Sequence, residues 1–274
     1  CYSMKKLFFL LLAAAIVASC SSVPENFVKV DGGTFMKGWT EKERELYKVN
    51  YGKDEDPLAP KEISVETFYI SKYEVTVGLW YEVMGYIPEK ITYAEWSKEP
   101  DCPIMGITWL EAVKFCNRLS AKEGYKGCYD FGELDEYGRF GETTLKPDAE
   151  GYRLPTDVEW EYAARGGQKS KGYRFAGSDS LDEVAHWNAE VPSKVGMYKP
   201  NELGIYDMTG NAAEYTYGIS PDVTIGKAFV TVQGGHYNGR LGGNKPQNFV
   251  IYKDDTSWGE GSDVGLRLVF QKKK

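Results

Sequence analysis

The sequence predicts an exported, loop-rich α+β domain, and three observations point there. Glycine (30 residues) and aromatics (20 Tyr, 12 Phe and 7 Trp) are both abundant in a chain of 274 residues. Many turns packed by large rings fit that composition better than a helical bundle does. Two helices have explicit start signals, while the β-prone stretches are short and separated by Gly, Pro, Asn and Asp. A leader of lysines and apolar residues ends in a cysteine.

The leader comes first. Met4 reads as the translation start, followed by Lys5, Lys6 and the apolar run 7–17. Eleven apolar residues are too few to span a hydrocarbon core of roughly 30 Å as a helix, but they suit the h-region of a signal peptide. The run closes on Val17-Ala18-Ser19-Cys20, which resembles the bacterial lipobox, where the cysteine is lipid-modified and the chain is cut just before it. An ordinary secretory cleavage with Cys20 incidental is the weaker reading, since a cysteine at the cut site is otherwise disfavoured in exported chains. The predicted organisation is a signal peptide at 1–19, a tether at 20–26, one domain at 27–271 and a basic tail at 272–274.

Along the domain, residues 27–38 alternate and then turn on Gly32-Gly33, as a strand entering a hairpin does. Residues 61–77 are rich in Val, Ile, Phe and Tyr and predict further β structure. Val77–Met84 has helical apolar spacing. Thr108-x-x-Glu111 opens a helix with Ala112, Cys116 and Leu119 on one face and Gly124 as its stop. Thr156-x-x-Glu159 opens a second, ended by Gly166-Gly167. Both are capping boxes, so Glu111 and Glu159 satisfy backbone donors, and the dense trio Asp157, Glu159 and Glu161 is not read as acid/base machinery. The acidic stretch near 130–150 reads as a solvated insertion. Short β-prone segments follow at Lys194–Tyr198, Ala228–Gln233, Phe249–Tyr252 and Gly265–Phe270.

Composition excludes several functions. The formal net charge is −7, and loss of Lys5 and Lys6 with the leader takes it to −9, which argues against a nucleic-acid binder. Two histidines, His186 and His236, are too few for a histidine-rich zinc site. Beyond the leader and anchor only Cys102, Cys116 and Cys128 remain, and no basic neighbour is apparent to make any of them a thiolate. Cys116 reads as a small core residue, and a Cys116–Cys128 disulfide is left open. There is no dinucleotide glycine fingerprint, no G-x-S-x-G and no H-E-x-x-H.

Phrases in fixed order then resemble the formylglycine-generating enzyme (sulfatase-modifying factor) domain. They are FVKVDGGTFMKG, YEVTVGLWYEVMG, ITWLEAVKFCNRLSAKEG with GYRLPTDVEWEYAARGG, VGMYKPNELGIYDMTGNAAEYT, QGGHYNG and the closing VGLRLVF. The resemblance covers about residues 27–270 and implies a variant C-type-lectin-like fold, with a mixed, largely antiparallel sheet. In active members two cysteines, four and nine residues past the second glycine of the GG dipeptide, bind Cu(I) and oxidise a substrate cysteine. The matching positions here are Gly239 and Asn244, His236 replaces the usual serine, and Ala213 replaces a common tryptophan. With no thiolate there is no soft Cu(I) site, so copper is not expected and formylglycine generation is excluded.

The same resemblance implies calcium binding at Asp207, Gly210, Ala212 and Glu214, through two side chains and two backbone carbonyls. Hard Ca²⁺ suits such oxygens, and the competing reading is that Asp207 and Glu214 only hydrogen-bond their loop. A second family calcium site, beyond Asn188, is expected to be lost because only a short connection follows it.

The predicted function is an envelope lipoprotein with a non-catalytic binding module, on the outer membrane or cell surface, whose partner is an unidentified protein or surface ligand. Variable proteins of diversity-generating retroelements share this fold, and the polar segment 236–263 is the candidate ligand surface. Its residues include His236, Tyr237, Asn238, Arg240, Asn244, Asn248, Tyr252, Asp254 and Ser257, a mix of Tyr with Asn and Ser that suits a paratope. The alternative is an enzyme of altered chemistry in the former groove, for which His236 and Arg240 are the only suggestive pair.

Overall fold

The chain is described by a computed structural model, covering residues 23–38, 60–133, 143–218, 231–238 and 263–273. Strand β1 (Phe27–Val30) pairs antiparallel with β4 (Phe68–Ser71), and β2 (Gly33–Lys37) pairs with β3 (Lys61–Val65). The stretch 27–38 is therefore not the hairpin that its Gly-Gly predicted. The chain instead leaves one sheet and joins another at Gly32. The Gly32 N–H donates to Thr67 Oγ1, and a Cβ there would lie 2.5 Å from the Val65 carbonyl oxygen, so only glycine allows the crossing.

Helix α1 (Val77–Met84) starts on the Thr76 hydroxyl and ends on Gly85 in the left-handed region. Helix α2 (Trp109–Lys122) follows two short 3₁₀ turns, and α3 (Asp157–Ala164) follows strands β5 (Tyr129–Phe131), β6 (Thr143–Leu145) and β7 (Gly151–Arg153). Both predicted capping boxes are present, Thr108 with Glu111 and Thr156 with Glu159. On α2 the predicted face of Ala112, Cys116 and Leu119 is buried, and Trp80 of α1 stacks on Phe115 with ring centroids 5.2 Å apart. The trio on α3 is structural. Asp157 pairs with Lys37, Glu159 with Arg153, and Glu161 accepts from both the Gly38 N–H and Arg165.

Past the one-turn helix α4 (Leu181–Val184), structure is mostly loop. The expected strand at Lys194–Tyr198 is a turn: Gly196 has φ +76° and its N–H is taken by the Asp207 carboxylate rather than by a neighbouring strand. Strand β8 (Ala213–Thr216) pairs antiparallel with β9 (Thr231–Gln233) and parallel with β10 (Val264–Leu266). Strand β11 (Val269–Gln271) lies between β4 and β7 in the larger sheet, whose order is β1-β4-β11-β7. The single stretch predicted over 265–270 is thus two strands in two sheets, separated by Arg267 and Leu268. The proposed insertion contributes the β5–β6 ladder, and the prediction at Phe249–Tyr252 lies outside the described residues.

Sheet register orients the domain. Phe27 stands level with Ser71, while Gln271 stands level with Gly151 and Phe68 with Val30. The chain therefore enters the larger sheet at one end and leaves it at the other. At the exit end lies a groove of about 600 Å³ lined by Tyr125, Lys126, Lys146, Asp148 and Lys273.

Candidate functional site

The loop linking Tyr206 to β8 turns three times through the left-handed region, at Asp207 (φ +56°), Gly210 (+81°) and Asn211 (+60°). Gly210 is required on steric grounds as well, because a Cβ there would sit 2.5 Å from the His186 carbonyl oxygen. The loop is tied down on both sides. The Gly210 N–H donates to Gly234 O, the Asn211 N–H to His186 O, and the Tyr237 N–H to Asn211 O.

Beneath this loop lies a buried polar cluster. Glu214 and Arg267 are both fully buried and form an ion pair, with Nη2 2.8 Å from Oε1 and Nε 3.0 Å from each oxygen. Trp160 Nε1 donates to Oε2 at 2.6 Å. Arg267 Nη1 and Nη2 also donate to the carbonyls of Ser71 and Tyr206, so the guanidinium joins the larger sheet to the loop. Glu74 accepts from the Ala212 N–H at 2.9 Å and from Asn211 Nδ2 at 2.8 Å. Asp207 Oδ2 accepts from the Gly196 N–H at 2.6 Å, whereas Oδ1 is buried without a hydrogen-bond partner.

Three buried carboxylates thus face one guanidinium. Burial pushes the Glu74 carboxyl well above the usual range, and the charges of Asp207 and Glu214 push it the same way against the pull of Arg267. Burial also raises Asp207, opposed by the Gly196 N–H and by Arg267. For Arg267, burial disfavours the charge but Glu214, Glu74 and Asp207 outweigh it, and its pKa is raised.

Of the four predicted calcium residues, the fold brings Asp207, Gly210, Ala212 and Glu214 onto one segment. Their side chains are unequally available. A carboxylate has about four lone-pair directions, and Arg267 and Trp160 make four donor contacts to Glu214. Asp207 Oδ1 is the oxygen with acceptor capacity to spare. Among the described residues no group of three or more His, Cys, Asp or Glu is arranged to hold a metal.

The candidate ligand surface begins beside this cluster. Tyr237 packs with Met105 and Ala212, against Trp96 and Ala189, and its carbonyl accepts from the Ala189 N–H. Burial and the neighbouring Asp263, to which the phenol donates, push the Tyr237 hydroxyl up to about 12. His236 Nδ1 accepts from the Asn238 N–H at 3.3 Å and lies 3.7 Å from Asp263. Arg240, Asn244, Asn248, Tyr252, Asp254 and Ser257, and the position Gly239, lie outside the described residues, as does Cys20.

The three described cysteines are buried and unbonded. Burial, with Glu99 adding to it at Cys102, pushes Cys102 and Cys128 up to about 11, and Cys116 is raised as well. Inert core thiols result, as expected for Cys116.

Sequence reasoning missed Glu74, Trp160 and Arg267. A signal was present for Arg267, a lone charge between Leu266 and Leu268 in an apolar β-run, and a weaker one for Glu74, which stands between Tyr73 and Val75. A charge there needs a buried partner.

Comparison with known proteins places this architecture. The model of the sulfatase-modifying factor enzyme 1-like domain matches residues 13–272, and that of the prokaryotic membrane lipoprotein lipid attachment site matches residues 4–21. A protein of Paenibacillus barcinonensis named chaperone protein LppX is 36% identical, over 98% of this chain and 99% of its own. Treponema denticola variable protein 1 superposes with a TM-score of 0.69 at 22% identity, covering 90% of this chain and 95% of its own. The crystal structure of CarF superposes with a TM-score of 0.63 at 27% identity, covering 91% of this chain and 99% of its own. The chain is an exported, lipid-anchored protein of the cell envelope, and its fold is the predicted variant C-type-lectin-like one.

Proposed function

This chain belongs to the sulfatase-modifying factor enzyme 1-like domain family, and from that membership we infer a lipid-anchored, non-catalytic binding protein that holds a polypeptide partner in the manner of a chaperone. One observation carries the non-catalytic part. Residues 129–274 contain no cysteine, so the positions where the enzyme resemblance requires a copper-binding pair, Gly239 and Asn244, have no soft ligand. The three described cysteines, Cys102, Cys116 and Cys128, are buried, with raised pKa values. The name of the Paenibacillus relative supports the polypeptide partner.

The binding surface in this reading is the segment from His236 onward. Its described part, His236 to Asn238, is braced from below by Asn211 and Ala189. Arg240, Asn244, Asn248, Tyr252, Asp254 and Ser257 extend it, and diversification of this segment by a retroelement is part of the proposal. A template repeat with clustered adenine-position differences beside a reverse transcriptase gene supports diversification, and its absence removes it.

Calcium belongs to the proposal too. The unpaired, buried Asp207 Oδ1 and the excess of carboxylates over guanidinium support it. Asp207, with the backbone oxygens of Gly210 and Ala212, would hold the ion, and Glu214 would join by releasing one of its donors. Such an ion would neutralise buried negative charge and fix the loop. A calcium-dependent rise in melting temperature that Asp207→Asn abolishes supports this reading; equal melting in calcium and in chelator overturns it.

The functional test uses the mature domain with Cys20→Ser and a fluorescent, reduced and carboxymethylated α-lactalbumin as an unfolded probe. Saturable binding that weakens at least fivefold in Tyr237→Ser is expected. No binding, or oxygen uptake with a cysteine-containing peptide, overturns the proposal.

A further inference from the structure

The anchor limits how far the domain can stand from the bilayer. Cys20, the lipid-bearing residue of the attachment site, lies only four residues before Pro24. At no more than about 3.6 Å per residue, Pro24 stays within roughly 14 Å of the lipidated cysteine. Pro24 is not on a free arm. Its carbonyl accepts from the Phe27 N–H at 3.0 Å, and the carbonyl of Asn26 accepts from the Lys72 N–H at 2.8 Å, so the chain is bound to the end of β4 where it enters the larger sheet.

The side chains at that end are suited to a bilayer interface. Tyr73 and Tyr206 stack with ring centroids 5.1 Å apart, and the Tyr206 N–H is held by the Lys72 carbonyl. Gly196 packs directly on the Tyr73 ring, where a Cβ would come within 2.7 Å of Cε1. The next residue, Met197, is 66% exposed although it is fully apolar. Tyrosine pairs an apolar ring with a hydroxyl that prefers water, which is why it concentrates at the headgroup level. A solvated methionine beside such a pair is costly in water and favourable in an acyl boundary.

We propose that Met197 and the Tyr73–Tyr206 stack form a membrane-resting face that seats the domain on the interfacial layer of its own anchoring bilayer. The lipid supplies attachment and this face supplies orientation. The groove at Lys126 and Lys273, at the exit end of the sheet, then points away from the bilayer. The inference rests on the lipid anchor and the tether geometry, and is independent of what the domain binds.

The test uses the full-length lipidated protein in vesicles of phosphatidylethanolamine and phosphatidylglycerol (3:1). A bimane label is placed at Met197→Cys and, in a second protein, at Lys126→Cys; Cys102, Cys116 and Cys128 are buried and Cys20 carries the lipid, so labelling is specific. Quenching by a headgroup-nitroxide lipid is expected to be at least threefold stronger at 197 than at 126. Met197→Glu combined with Tyr206→Ser, followed through a label at 73 (Tyr73→Cys), is expected to remove most of the quenching there while far-UV circular dichroism stays native. Equal quenching at 197 and 126 overturns the proposal, as does a label at 73 whose quenching ignores the double substitution in a folded protein.

Discussion

Arg267 and Glu214 are fully buried and bound to each other through 2.8–3.0 Å contacts, and this pair is the junction of the two main sheets. Glu214 belongs to β8, and Arg267 sits at the step from β10 to β11. Removing one partner leaves the other charge stranded in the core. Arg267→Met is expected to cost about 3–5 kcal/mol in urea unfolding. The double variant Arg267→Met, Glu214→Gln should recover part of that loss; a single variant as stable as the parent would refute the role assigned to the pair.

Stability should fall on both sides of a mildly acidic optimum. Glu159 has a depressed pKa: burial raises it, but the charge and hydrogen bonds of Arg153 win. Its contribution is present above the unfolded value and is lost as pH falls through the folded one. Glu74 has the opposite shift. Between its unfolded value and its raised folded value the native state holds the extra proton, so stability declines as pH rises through that window. Melting temperatures from pH 5 to 8 should decline in the parent and decline less in Glu74→Gln. Parallel profiles would show that Glu74 is not the titrating group.

The two capping boxes are separable from the polar cluster. Thr108→Ala and Thr156→Ala each remove the acceptor for an N3 backbone donor. Each should cost about 1 kcal/mol, within the 0.5–2 range for such caps, and the two losses should add because the helices are distinct. Chemical denaturation of the single and double variants measures this directly.

The three described thiols should be silent in the native protein. At pH 8 the mature domain with Cys20→Ser is expected to show no fast reaction with a disulfide reagent, and three equivalents after unfolding in urea. A rapidly reacting native thiol would contradict both their burial and their raised pKa values.

The anchor, the α+β class, both capped helices and the lack of any cysteine in residues 129–274 were legible in the sequence because each rests on local or compositional signals. A lipobox is contiguous, a capping box spans four residues, and an absent cysteine is absent wherever the chain folds. Strand partners were not legible in the same way. The Gly32-Gly33 stretch looked like a hairpin, and 265–270 looked like one strand, because alternation reports a pleated segment but not which sheet receives it. The segment at 194–198 failed for a related reason: the Gly196 N–H is claimed by the carboxylate of Asp207, eleven residues further on, and the Val195 N–H by the Asp101 carbonyl. Likewise Glu74, Trp160 and Arg267 stand far apart in the chain, and only tertiary structure could bring them to Glu214 and Asp207. The sequence by itself determined that residues 129–274 hold no cysteine and that the chain is held to the membrane by a lipid. Which charges compensate one another in its core was decided by packing, because buried charge has to be matched in space rather than along the chain.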